Sequence, residues 1–175
     1  MKALSGRQPW WSALLHGKSI ENRVAAAPAH QQLRVYRDPF LLHASAGVGT
    51  RREFSSACAF IRERLSDSAW QAFRDSLLVH GPDGFRPGPA LPRGGVIGRA
   101  RVVGLITPDG EPHGDEGRDA VARYRPDMRW HMRGQWGHIL TDVESLPFVP
   151  CKGALWLFDL PSHVTIQGEP NQRTT

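Results

Sequence analysis

The chain has 175 residues, 40% of them hydrophobic, and carries a formal charge of +5. This length suits one elaborated domain and is short for two separate cores, while the apolar content argues against a disordered chain. No apolar run is as long as a bilayer span; stretches such as 102–106 are the longest.

The first seven residues lack the apolar stretch of a secretory leader, so a cytoplasmic address is the expectation, with no membrane partner. Cys58 and Cys151 stand far apart and outside any metal-ligand spacing. Two free thiols are expected in a reducing compartment, with Cys151 as a small buried hydrophobe. The positive balance favours an anionic partner. It is carried almost wholly by arginine, whose planar fork suits phosphate, and the only lysines are Lys2, Lys18 and Lys152.

In chain order, Pro9 can open a helix over 10–16, where Trp11, Leu14 and Leu15 recur at helical spacing before Gly17. Residues 19–24 alternate and read as a strand, with Ile20, Asn22 and Val24 on one side and Ser19, Glu21 and Arg23 on the other. Residues 25–32 read as a loop, 33–36 as a short strand and 40–45 as a buried strand. Phe54, Cys58, Ile61 and Leu65, then Trp70, Phe73, Leu77 and Leu78 after the capping residue Ser66, predict two helices forming an insert at about 51–79. Residues 80–93 read as a mobile, proline- and glycine-rich loop.

The strongest strand signal is 94–107, where Val96, Gly98, Ala100, Val102 and Gly104 make a small face, as where a strand curves tightly or another backbone comes close. Residues 109–127 read as a polar loop, 130–143 and 154–160 as the last strands, and 161–175 as a frayed polar tail. The pattern predicts an α+β fold with a closed or nearly closed sheet, a single domain over 1–160.

Lys18, Glu21 and Arg23 fall within six residues where the first helix ends and a strand begins. A cation, a carboxylate and a second cation around one opening can hold a phosphate and accept from an exocyclic amine, or supply a base. The competing reading is a surface ion-pair ladder of little energetic weight. Trp10 and Trp11 cannot both enter the core from so short a helix; Trp11 belongs with Leu14 and Leu15, leaving Trp10 to stack a base. Trp136 is a second aromatic candidate. Arg7 is a further candidate in the same N-terminal block, while Ser5 and Ser45 can bond a ligand or merely backbone, and Lys152, before Gly153, can take a phosphate or simply occupy a turn. His43 reads as a hydrogen-bonded core histidine. His113 with Asp115 and Glu116, or His131 with His138, lack the spacing of a metal site, so neither metal nor cofactor is expected.

Four ordered blocks resemble the ASCH domain family: the stretch Leu4-Ser5-Gly6-Arg7-Gln8-Pro9-Trp10 through Gly17-Lys18-Ser19-Ile20-Glu21-Asn22-Arg23; Leu41-Leu42-His43-Ala44-Ser45; Gly95-Val96-Ile97-Gly98-Arg99-Ala100; and Trp136-Gly137-His138-Ile139-Leu140 with Pro147-Phe148-Val149-Pro150-Cys151-Lys152-Gly153 and Leu155-Trp156. The resemblance implies a PUA-like β-barrel with peripheral helices and a polar cleft for RNA or a nucleotide, with DNA as a further possible partner. It also implies an alternative, a small metal-independent hydrolase acting on a modified cytidine or on RNA, with Lys18 and Glu21 as the catalytic candidates. In the family's amidohydrolases a threonine stands where this chain has Glu21, and a glutamate is a poor replacement for an activated hydroxyl.

Overall fold

The structure, a computed structural model, describes residues 1–82 and 84–166. Its strands are β1 (Lys2–Gly6), β2 (Ile20–Arg23), β3 (Phe40–Ala44), β4 (Leu78–Gly81), β5 (Gly84–Pro87), β6 (Gly95–Ile106), β7 (Trp136–Pro150) and β8 (Leu157–Asp159). The helices are α1 (Trp10–Leu14), α2 (Pro28–Leu33), α3 (Arg51–Arg62), α4 (Asp67–Leu77) and α5 (Gly114–Tyr124), with a 3-10 turn at Met128–Trp130.

The long alternating runs of β6 and β7 pair antiparallel and form the middle of the molecule. Small residues let them approach: a Cβ on Gly98 would lie 2.5 Å from the Glu144 carbonyl oxygen. Six strands form one mixed sheet in the order β2-β7-β6-β3-β1-β8. Only β1 and β3 run parallel. This α+β sheet is open, which corrects the expectation of a closed or nearly closed barrel. Its edges, β2 and β8, are four and three residues long and do not pair with each other, so no hydrogen-bonded ring forms. Curvature comes instead from register shifts at three places along the β6–β7 ladder.

The two predicted helices of the insert are present. Thr50 and Glu53 form a reciprocal capping box at the start of α3, and the Ser66 hydroxyl accepts from the Ala69 N–H at the start of α4. Phe54, Cys58, Ile61, Trp70 and Phe73 are buried in one cluster with Ala13, Ile20 and Trp130. The insert therefore shares a core with α1 and β2. A second cluster, centred on Trp11, Leu42, Phe40 and Val102, lies against the sheet.

Several expectations are corrected. Residues 28–33 form α2 rather than a loop and strand, because Pro28 suits a first helical turn and Ala29, His30 and Leu33 turn inward together. Residues 78–87 make the β4–β5 hairpin, with the Phe85 ring edge-on to Trp70 at 5.3 Å, so 80–93 is not wholly a loop. Residues 114–124, read as polar loop, are α5. Its buried face is only Gly117 and Ala120, too small to register as apolar periodicity, and it packs on Gly104 of β6. β7 begins at Trp136 and runs on to Pro150, and 154–160 contribute only the three residues of β8. In the expected tail, Val164 and Ile166 pack beside Ala3, Leu41 and Val96, and 167–175 lie outside the described residues. Cys58 and Cys151 are free thiols. Among the described residues no helix is long and apolar enough to cross a membrane.

Candidate functional site

The site is assembled where α1, the turn after it and β2 meet the end of β1. Pro9 offers no side-chain cap to α1, and Gln8 supplies the function: its Oε1 accepts from the Ser12 N–H at 3.0 Å while its Nε2 donates to the Pro92 carbonyl at 2.9 Å. Trp11 is fully buried and donates its indole N–H to the Leu4 carbonyl at 3.2 Å. Its ring lies so close to β1 that a Cβ on Gly6 would come within 2.4 Å of it. Trp10 projects the other way, half-buried and edge-on to Phe60 of α3 at 5.5 Å.

Ser5, Arg7, Trp10, Lys18, Glu21, Arg23 and Ser45 all line one cleft of about 530 Å³. Its floor is charged. The Lys18 ammonium donates to Glu21 Oε2, and their side chains are 2% and 9% exposed. On the other side, Arg23 Nη2 lies 3.0 Å from Glu21 Oε1. That contact has the distance of an ion pair without the alignment of a hydrogen bond, so Nε and Nη2 of Arg23 remain buried donors lacking a hydrogen-bond partner. Each cation also faces a tryptophan: Lys18 Nζ is 5.8 Å from the Trp10 ring centroid and Arg23 Cζ 5.5 Å from that of Trp11.

Burial pushes the Glu21 carboxyl up, but Lys18 and Arg23 together outweigh it and hold the group below the ordinary carboxylate value. Burial pulls the Lys18 ammonium below its ordinary value, with Glu21 opposing and Arg23 assisting. The directions are compatible: Glu21 stays ionised, and Lys18 gives up its proton more readily than a free lysine. With a cation beside each oxygen and its pKa held down, Glu21 is a weak general base. The floor instead presents a net positive charge.

Behind Glu21 lies a histidine pair that sequence reasoning left unassigned. His138 Nδ1 is 3.2 Å from the Glu21 carbonyl oxygen, and its Nε2 is 3.3 Å from His30 Nδ1. A carbonyl only accepts, so His138 carries its proton on Nδ1 and accepts from His30 through Nε2. Burial drives the His138 value down to about 4. The residue is neutral and rigidifies β2 from behind.

Two predicted residues are elsewhere. Trp136 is outside the cleft lining: it stacks on His30 at 5.1 Å and meets His113 edge-on at 5.0 Å. Lys152 lines an adjoining concavity of about 460 Å³ that shares Ser5, Ser45 and Leu155 with the cleft. His43 is buried there, with its Nε2 3.1 Å from the Cys151 carbonyl and its Nδ1 3.0 Å from Ser5 Oγ. The carbonyl fixes the proton on Nε2, so Nδ1 accepts from the Ser5 hydroxyl.

Asn22, Met132, Gln135 and Leu155 also line the cleft and were not singled out in the sequence. Asn22 donates to the Trp130 carbonyl at 2.8 Å and accepts from the Met132 N–H at 2.9 Å, which fixes 130–132 as a wall. Its place between Glu21 and Arg23 was a local clue; Met132 and Gln135 offered none.

A separate groove of about 510 Å³ between β6 and α5 includes Arg37 and Arg101, but these pair with Glu116 and Asp142. Arg123 lines it as well, its guanidinium 5.3 Å from the centroid of the Tyr124 ring. No protein-family model matches this chain, and no curated protein matches it either.

Proposed function

We propose that the cleft binds a nucleotide unit of RNA, as a recognition site in RNA metabolism or regulation. The observation that carries this reading is the Lys18–Glu21–Arg23 floor beneath Trp10, a net cation beside an aromatic face in an open cleft. Phosphate oxygens accept from arginine in charge-assisted hydrogen bonds, and a base stacks on an indole whatever its identity. The resemblance of four ordered sequence blocks to ASCH domains, and their implied PUA-like architecture, supports the same reading. DNA offers the same phosphates and bases, and the 2′-hydroxyl is what would separate the two.

The test is binding of short single-stranded RNA at low and moderate salt. Salt-sensitive affinity is expected, and it falls in Arg23→Gln. Trp10→Ala loses about 1–3 kcal/mol, the worth of one stacked base. Lys18 is too buried for its truncation to be the only variant, and Arg23, 21% exposed, is the safer probe. Affinity indifferent to salt and to both substitutions refutes the proposal.

A second reading, hydrolysis of a modified cytidine or of RNA without metal, is favoured by the Ser5–His43 contact. There the Ser5 oxygen bonds to the acyl carbon of an N4-acylcytidine as its proton passes to His43 Nδ1. The carbon–N4 bond breaks, the N4 amine leaves with that proton, and water then releases the acyl group from Ser5 as the acid, with Lys18 and Arg23 balancing charge. Incubation with N4-acetylcytidine and with labelled RNA tests it: product above a Ser5→Ala control supports it, and none removes it.

A further inference from the structure

The cleft is not isolated. On one side it opens past Trp10 into an apolar groove of about 430 Å³ that includes Pro9, Phe54 and Phe60; Arg7, Trp10 and Met132 belong to both. On the other it meets the Lys152 concavity across Ser5, Ser45 and Leu155. Each compartment alone falls within the range of about 300–1,000 Å³ typical of a small-ligand site. A single nucleotide would fill one and leave two open.

Cations mark the compartments in turn. Arg7 stands at the boundary of groove and cleft; it is within electrostatic reach of Glu53, but the two do not bond. The cleft holds the net positive Lys18–Glu21–Arg23 floor. Lys152 lines the third compartment and makes no hydrogen bond or ion pair among the described residues. Between them stand apolar surfaces: Trp10 divides groove from cleft, and Leu155, 79% exposed, rims the boundary of cleft and Lys152 concavity. Trp156 follows, half exposed and held at a φ of 71°.

We infer that the three compartments form one trough for a single-stranded nucleic-acid segment of three nucleotides, with successive phosphates held at Arg7, at the cleft floor and at Lys152. This rests on reading the cleft as a nucleotide site and adds the length and strandedness of its ligand. Alternating cations and apolar faces match alternating phosphates and bases. An acidic peptide would leave Trp10 and the apolar groove without a counterpart. A duplex keeps its bases paired and stacked on one another, out of reach of an aromatic wall.

The experiment measures affinity of the full chain for oligouridylates of one, two, three and six nucleotides, with deoxy counterparts, at 50 and 200 mM salt. For single strands each neutralised phosphate contributes about −0.7 to the slope of log affinity against log salt. The trinucleotide is therefore expected to show a slope near −2, weakening about 18-fold across that range, and a mononucleotide about 3-fold. Affinity rises from one to three nucleotides and then levels. Arg7→Gln and Lys152→Gln, with melting midpoints unchanged, each flatten the trinucleotide slope by about 0.7. Length dependence in the RNA or the DNA arm supports the trough, and the arm that shows it names the sugar. If a mononucleotide binds as tightly as a trinucleotide with a slope near −0.7, the trough is overturned while the cleft stands as a nucleotide site. If no length binds, both fall; so does the trough if a polyglutamate peptide binds as well as the trinucleotide.

Discussion

Glu21→Gln keeps the volume of the side chain and one acceptor oxygen while removing the charge that Lys18 and Arg23 share. With Lys18 and Glu21 side chains 2% and 9% exposed, water screens the loss poorly. Leaving one partner of a buried pair uncompensated costs about 3–5 kcal/mol, and because the amide oxygen can still accept from Lys18 the lower end, about 3 kcal/mol, is expected. In a chain of this size each kcal/mol moves the melting midpoint by about 2–4 °C, so a fall of about 6–12 °C follows at neutral pH. The acid limb changes too. A carboxyl held below its ordinary value stabilises the fold above its unfolded value, and that contribution is lost as pH falls through the folded value; the variant lacks this loss. Binding should move the opposite way, since the cleft floor gains net positive charge and holds a nucleoside monophosphate more tightly. Thermal and denaturant unfolding, paired with calorimetric titration of the monophosphate, read both. A midpoint shift below about 1 °C, or weaker rather than tighter binding, would refute the buried-triad reasoning.

Two further changes probe what surrounds the floor. His138 is neutral with its value near 4 and faces His30, Glu21 and Arg23, so the unfolded chain binds its proton first as pH falls from 6.5 towards 4; wild-type stability should drop by about 3 kcal/mol across that window. His138→Gln should flatten this limb in urea denaturation series, and an unchanged limb would count against a buried neutral imidazole. Gly153→Ala would put a Cβ 2.3 Å from His43 Cε1 and 2.7 Å from Ser5 Oγ, so it should lose about 1–3 kcal/mol and shift the His43 imidazole resonances; a neutral effect on both would show that this backbone does not press on the pair.

The cleft was legible because its chemistry is local. Lys18, Glu21 and Arg23 lie within one turn and one strand, and strand alternation alone puts Glu21 and Arg23 on the same face. Trp10 and Trp11 could be separated by helical spacing for the same reason, and the β6 alternation and the capping residue Ser66 marked their elements in the same local way. What escaped depends on distant partners or on small residues. The contact of α5 is made by Gly117 and Ala120 against Gly104, which no hydrophobic pattern advertises. Trp136 faces His30 and His113 rather than the cleft because α2, itself hidden behind Pro28, brings His30 against it. Sheet closure was overestimated because edge pairing depends on distant partners: β2 and β8, four and three residues long, stand at opposite edges and do not pair.

A charged floor is a poor way to hold a fold together. Replacing buried ion pairs by packed apolar groups is often neutral or stabilising, and each buried donor without a partner costs about 1–3 kcal/mol. The neighbours show that apolar packing was within reach: Ile20, beside Glu21, and Trp11, beside Trp10, are both fully buried. Yet Arg23, which lines an open cleft, keeps Nε and Nη2 buried without a hydrogen bond. An anion entering the cleft meets the accessible part of that guanidinium, so ligand should add stability the free protein lacks. At a monophosphate concentration of about 100 times Kd the gain is about 2.7 kcal/mol, or a rise of about 5–11 °C. In Arg23→Gln at the same ligand concentration the rise should shrink as Kd weakens. Equal ligand-induced rises in the two proteins would mean that Arg23 meets no anion.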